Sequence, residues 1–215
     1  MQTIVWCIIL IGVVFDIDGV LINSYNGIEY FYRRVLPQII DIDQRLIDYL
    51  IELEYIGELT GLLREDWWFK YIPGLTEELY DKLITRYWEV RIENSKLEPG
   101  VINVLEYLAN SGYRVFTVSY RDDIYGLKKY RIELMDLDKF FHEIIIVGED
   151  FHDRVDGLKY LVKKYDLNKT FYIDDKPLNL LMIYIEMKQK PVLIHYRFKH
   201  NIEYPWINPE GYSSQ

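Results

Sequence analysis

The chain has 215 residues, enough for one sizeable domain or a core domain carrying a smaller insertion, and half of them are hydrophobic, so a buried core is expected. Its formal charge of -9 argues against general binding to a phosphate backbone, which needs clustered Lys and Arg, and nucleic acid is not an expected partner. Cys7 is the single cysteine, which excludes an intrachain disulfide and a cysteine-rich zinc site and fits a reducing, cytoplasmic setting.

The apolar run 4–15 is shorter than the roughly 20 residues of a spanning helix, and no basic residue precedes it. Neither a membrane anchor nor a secretory signal is expected, and its end at 11–15 reads as a buried strand. That strand stops at Asp16-Ile17-Asp18-Gly19. In an open parallel sheet both carboxylates would leave the carboxyl end, where such sheets place their ligands. The competing reading is a turn in which Asp18-Gly19 reverses the chain.

A helix-rich stretch follows up to about residue 98, with helices predicted over 27–35, 44–55 and 77–94. Ser24 is the expected N-cap of the first. In the third, Leu79, Leu83, Tyr87 and Val90 recur at helical spacing, Thr76 is the N-cap, and Glu77 and Glu78 favour the positive end of the dipole. From Pro99 the pattern alternates. A helix with Val101, Val104, Leu105 and Leu108 on one face ends at Gly112, and a strand over 113–118 follows. Helix 124–135, strand 144–147, helix 156–165, strand 170–173, helix 177–187 and strand 191–195 complete the series. This is an α/β pattern, with parallel strands joined by helices on both faces of one sheet. The stretch between the first and second strands is too long for a single crossover and reads as an insertion.

Further chemistry-bearing residues fall at strand ends. Ser119 closes the second strand, where its hydroxyl could serve a phosphoryl oxygen or cap the next helix. Asp174-Asp175 close the strand before Pro177, and adjacent acids call for a hard cation such as Mg²⁺ or for the N-terminus of the following helix. Arg121-Asp122-Asp123 read as a helix start with acids in its first turn. For the tail 196–215, with Tyr196, Phe198, Tyr204 and Trp206, packing on the core and a subunit contact in a homodimer both stay open.

Taken in order, Phe15-Asp16-Ile17-Asp18-Gly19-Val20-Leu21, Ser119 at a strand end, and Ile173-Asp174-Asp175-Lys176-Pro177 resemble the motifs of the haloacid dehalogenase superfamily. The resemblance implies a Rossmann-like parallel-sheet core (1–21 and 99–215) with an inserted α-helical cap (22–98). That cap would be of type 1, similar to β-phosphoglucomutase-like and phosphoglycolate phosphatase-like members. It also implies a Mg²⁺-dependent phosphatase acting on a small phosphorylated metabolite. Asp16 would be the nucleophile that becomes an aspartyl-phosphate. Asp18 would be the acid/base, protonated on arrival of substrate through a pKa raised by neighbours such as Asp16. Asp16, Asp18 through its main-chain carbonyl, Asp174 and Asp175 would form the metal site, and Asn179 stands where many members place a further acid.

Ser119, with Gly19, Tyr120 and Arg121 nearby, would contact the substrate. The family's third motif is a lysine that this sequence lacks at the matching place. Arg154 is the first choice to replace it and Lys159 the second. In the cap, Gly57, Thr60, Gly61 and Arg64 could form a loop facing the site and Trp67-Trp68-Phe69-Lys70 an aromatic wall, but packing within the cap core with solvated charges is the favoured reading, since aromatics are usually core. A phosphomutase of the β-phosphoglucomutase type, a non-catalytic phosphate- or Mg²⁺-binding relative, and a receiver-like module are the alternatives. The acid Asp18 argues against dehalogenation. No Gly-x-Gly-x-x-Gly follows any strand, which lowers a dinucleotide-binding reading.

Overall fold

The computed structural model describes residues 9–196, so Cys7 and the tail beyond Tyr196 lie outside the described residues. Strand β1 (Ile11–Phe15) leads into a tight loop, the two-residue strand β2 (Ile22–Asn23), and a helical insert. The insert holds α1 (Asn26–Tyr30), a π-helical turn (Phe31–Val35), α2 (Leu36–Ile39), α3 (Gln44–Thr60), α4 (Glu65–Tyr71) and α5 (Glu77–Glu93). Strand β3 (Lys96–Leu97) returns antiparallel to β2, with Ile22 opposite Leu97, and closes the base of the insert. Then come α6 (Val101–Asn110), β4 (Arg114–Tyr120), α7 (Leu127–Leu134), a 3₁₀ turn (Asp138–Phe140), β5 (Glu143–Val147), α8 (Arg154–Lys164), β6 (Lys169–Asp174), α9 (Pro177–Glu186) and β7 (Val192–His195).

The main sheet has the order β5-β4-β1-β6-β7, and every pair in it is parallel. The Rossmann-like α/β arrangement expected from the alternation is therefore the observed one. Alternation along β1 divides its side chains between two cores. Val13 and Phe15 pack with Val101, Leu105 and Ile132 on one face, while Val14 packs with Leu158, Leu161 and Ile183 on the other. Burial on both faces explains the unbroken apolar run. Each such side chain, fully buried, contributes roughly 1.5–3 kcal/mol.

The insert has its own core, dominated by Phe31, Tyr32, Trp68 and Tyr87 in stacked and edge-to-face contacts. Gly27 seats α1 against α5, since a Cβ there would lie 2.6 Å from the Cα of Arg91. Thr76 caps α5 by accepting a hydrogen bond from the Leu79 amide.

Three local expectations are corrected. Helix α3 continues through Gly57 to Thr60 and ends at Gly61 in the left-handed conformation, so a helix end stands where a loop was expected. The segment Glu65–Tyr71 is helical, and Trp67 and Trp68 are buried in the insert core, the packing favoured from the sequence. Ser24 does not cap α1: its hydroxyl donates to Asp18 and accepts from Arg91. Residues 121–126 are not helical: Asp123 is drawn to Arg64 of the insert, and Asp122 pairs with Lys128 and Arg131 of the following helix α7.

Candidate active site

Strands β1, β4 and β6 are adjacent and parallel, so Asp16, Ser119 and Asp174-Asp175 emerge side by side along one edge of the sheet. Asp16, Asp174 and Asp175 are all buried, and one carboxylate oxygen from each lies within 4.8 Å of the others. Such a cluster of hard oxygen donors fits a cation of the Mg²⁺ or Ca²⁺ type. Gly19 completes the packing there with φ +82°, and any Cβ at that position would collide with the Asp175 carboxylate.

Asp174 is fixed on several sides. Tyr172 donates its hydroxyl at 2.8 Å, the Lys176 amide donates at 2.8 Å, and the Asn179 amide reaches both oxygens at 3.1 and 3.0 Å. Burial, reinforced by the charge of Asp16, raises its carboxyl above the usual range despite Arg154. That cost is what a bound cation would relieve.

Arg154, at the start of α8, spans the cluster. Its Nη1 donates to Asp16 at 3.1 Å, to the Val118 carbonyl at 2.8 Å and to the Tyr172 hydroxyl at 3.1 Å, and stands 3.8 Å from Asp174. Burial would lower the guanidinium pKa, but Tyr172, Asp16 and Asp174 more than offset it and keep the cation charged. Lys159 does not reach the site. One turn further along α8, it is exposed and pairs with Asp156, as the geometry of a helix surface dictates.

Asp18 departs from expectation. Its carboxylate stands outside the acid cluster and is enclosed by Lys128 and Arg131 of α7, with Ser24 donating at 2.8 Å and Arg131 Nη2 at 2.6 Å. Asp122 shares both cations. Burial by itself would raise the Asp18 carboxyl, yet Arg131, Lys128 and Arg91 outweigh it and hold the group well below the ordinary carboxylate range. The expected upward shift is thus reversed, because the nearest charges are positive.

A cavity of about 510 Å³ opens between this sheet edge and the insert. Asp16, Asp18, Ser119, Tyr120, Arg121 and Arg154 line it from the core. Residues 57–64, Trp88 and Arg91 line it from the insert. Arg64 reaches the cavity but is buried and already engaged, pairing with Glu54, with Glu58 at 2.7 Å and with Asp123 at 2.8 Å. Its role as a free substrate contact is corrected accordingly. Arg91 pairs with Glu58 at 2.5 Å. Lys176 faces Glu58 at 3.8 Å, and four carboxylates, Glu58, Asp175, Asp16 and Asp174, keep its ammonium above the ordinary value against the pull of burial.

Tyr172, Lys128, Arg131, Arg91 and Glu58 were not singled out in the sequence. Tyr172 carries a legible signal, since it lies two residues from Asp174 on the same face of a strand. Lys128 and Arg131, three apart on a helix, share one face.

A parallel sheet with an acid cluster at its carboxyl edge and a helical insert over that edge defines a Rossmann-like α/β protein with a site suited to cation and phosphate chemistry. Residues 13–182 match the model of the haloacid dehalogenase-like hydrolases, and the chain belongs to that family. Its structure is similar to that of a hydrolase from Streptococcus pneumoniae TIGR4, with 20% identity, a TM-score of 0.58, and 89% of this chain and 95% of the other covered. It also resembles a predicted phosphoglycolate phosphatase from Haemophilus somnus 129PT, with 19% identity, a TM-score of 0.51, and coverage of 77% and 76%. A subfamily IA hydrolase of the haloacid dehalogenase superfamily from Geobacter sulfurreducens PCA has 16% identity, a TM-score of 0.52, and coverage of 80% and 83%. No curated protein matches the chain. Among the described residues, no helix is long and apolar enough to cross a membrane.

Proposed function

We propose that the protein is a Mg²⁺-dependent phosphatase that hydrolyses a small phosphomonoester through an aspartyl-phosphate on Asp16. The observation that carries this reading is the contact of Arg154 with Asp16 inside the buried cluster of Asp16, Asp174 and Asp175. A nucleophilic carboxylate there has a permanent cation beside it to receive the charge of a phosphoryl group, so Arg154 takes the place of the absent lysine.

Asp16 attacks phosphorus, a P–O bond forms on its carboxylate, and the bond to the leaving oxygen breaks, that oxygen taking its proton from solvent water as it departs. Water then attacks the same phosphorus, releasing phosphate and restoring Asp16. Asp18, held as a carboxylate by Lys128 and Arg131, is assigned as the base that receives the proton of this water. Ser119 and Arg121 line the cavity beside Asp16 and are assigned to the phosphoryl oxygens. Mg²⁺ held by Asp16, Asp174 and Asp175 would offset the negative charge of the carboxylates and phosphate. Residues 22–98 would serve as the cap over the core, and the cavity between them as the substrate chamber.

The test is hydrolysis of a generic aryl phosphate with and without Mg²⁺, beside Asp16→Asn. Turnover that needs both Mg²⁺ and Asp16 is expected. Equal activity in wild type and variant would overturn the covalent mechanism.

A further inference from the structure

Resting on the phosphatase reading, we propose that the cavity selects a leaving group that is uncharged and apolar, such as an aryl or branched alkyl group, over a polyol or a second anion. The first observation is the state of the charges on the insert side. Arg64 and Arg91 are the guanidiniums that the insert brings to the cavity, and both are spoken for. Arg64 is held by Glu54, Glu58 and Asp123, and Arg91 by Glu58, with its Nη2 on Ser24. Their Nε atoms lack an acceptor among the described residues, but they are enclosed and offer no solvent-facing donor. Lys176, on the core side, points its charge at Glu58.

On the insert side a carboxylate or second phosphate of the leaving group would therefore have to break an existing buried pair to find a cation, and Arg121, which lines the cavity from the core, is already assigned to the transferred phosphoryl group. A leaving group that must be retained as a bisphosphate is disfavoured for the same reason.

The second observation is the apolar lining. Leu62 and Leu63 come from the insert, and Leu178, Met182 and Ile183 from α9 of the core, and all five border the same cavity. Leu62, Leu178 and Met182 are 49%, 51% and 46% exposed. Their exposed faces gain by contact with an apolar group and gain nothing from hydroxyls. A volume of about 510 Å³ lies within the range of small-molecule sites.

The experiment is calorimetric titration of the full chain in Mg²⁺ with three non-hydrolysed probes: phenylphosphonate, phosphonoacetate and inorganic phosphate. Phenylphosphonate is expected to bind about tenfold more tightly than phosphonoacetate, the equivalent of one well-covered apolar face. Leu178→Asn and Met182→Asn alter side chains of α9 that are about half exposed, so both variants are expected to fold, which a thermal melt of each checks. Each should weaken phenylphosphonate about fivefold while keeping inorganic phosphate within about twofold.

Equal or tighter binding of phosphonoacetate, no binding of phenylphosphonate, or variants without effect on it would overturn the proposal. Turnover of phenyl phosphate is measured in parallel and reports on the phosphatase reading alone. Preference without turnover defeats that reading while upholding the apolar chamber. Turnover without preference does the reverse.

Discussion

Arg154→Met removes the cation that touches Asp16 and leaves its neighbours in place. The lost contacts are an ion pair at 3.1 Å to Asp16 and a weaker one at 3.8 Å to Asp174. At about 4 Å and an effective dielectric near 20, one such pair is worth roughly 4 kcal/mol. If the phosphoryl transition state loses that much, kcat/KM for an aryl phosphate falls about 10³-fold. Folding stability should fall as well. Breaking a buried pair costs about 3–5 kcal/mol, and the low end applies because the Arg154 side chain keeps 13% of its exposure. A loss of about 3 kcal/mol lowers Tm by roughly 6–12 °C for a chain of this size. Arg154→Lys separates charge from shape. All three hydrogen bonds of Arg154 leave from Nη1, toward Asp16, Val118 and Tyr172, and an ammonium, with three N–H donors, can serve the same three acceptors. The lysine variant should keep activity within about tenfold of wild type. Steady-state kinetics in Mg²⁺ and urea unfolding read both effects. Methionine within tenfold of wild type, or lysine no better than methionine, would refute the assignment of Arg154 as the phosphate-side cation.

Glu58 links the insert to the core, and its titration has a defined sign. Burial would raise its carboxyl, but Arg91, Arg64 and Lys176 outweigh that and hold it well below the usual range. A depressed folded pKa contributes stability that is complete above the unfolded value, near 4.3, and is lost as pH falls through the folded one. Glu58→Gln should cost about 2 kcal/mol at pH 7, with the gap constant down to about pH 5 and closing only below roughly pH 4. Thermal melts across pH check this, and a gap that narrows between pH 7 and 6 would contradict it. Saturating Mg²⁺ should raise Tm by roughly 5–10 °C, the result of about 2.7 kcal/mol at a hundredfold excess over Kd. Gly19→Ala should abolish that rise, because its Cβ invades the Asp175 carboxylate, and its positive φ adds about 1–2 kcal/mol of strain. A Gly19→Ala protein that still gains the full rise would remove Asp175 from the metal site.

What could be read in the sequence was local. Core strands are mostly apolar runs bounded by polar residues, helices such as α6 and α8 keep a 3.6-residue apolar face, and Asp16, Ser119 and Asp174 sit at strand ends, so parallel pairing alone brings them together. What could not be read depends on partners far along the chain. Strands β2 and β3 have two residues each, too few for a period to register, and they pair across some seventy residues of insert. Asp18 lies 110 and 113 positions from Lys128 and Arg131. From the sequence its nearest charge was Asp16, which pointed its pKa upward; the fold substitutes two buried cations and points it downward. The same holds for the insert, where Glu54 lies on the buried face of α3 beside Leu50, Ile51 and Tyr55. A carboxylate in that position reads as a flaw in the helical face until Arg64, Tyr32 and Tyr87 are brought to it. These buried networks share one path: Glu58 joins Arg64 to Arg91, and Arg91 reaches Ser24, which donates to Asp18. The insert is therefore wired to the proposed base through the residue that sequence assigned to a helix cap.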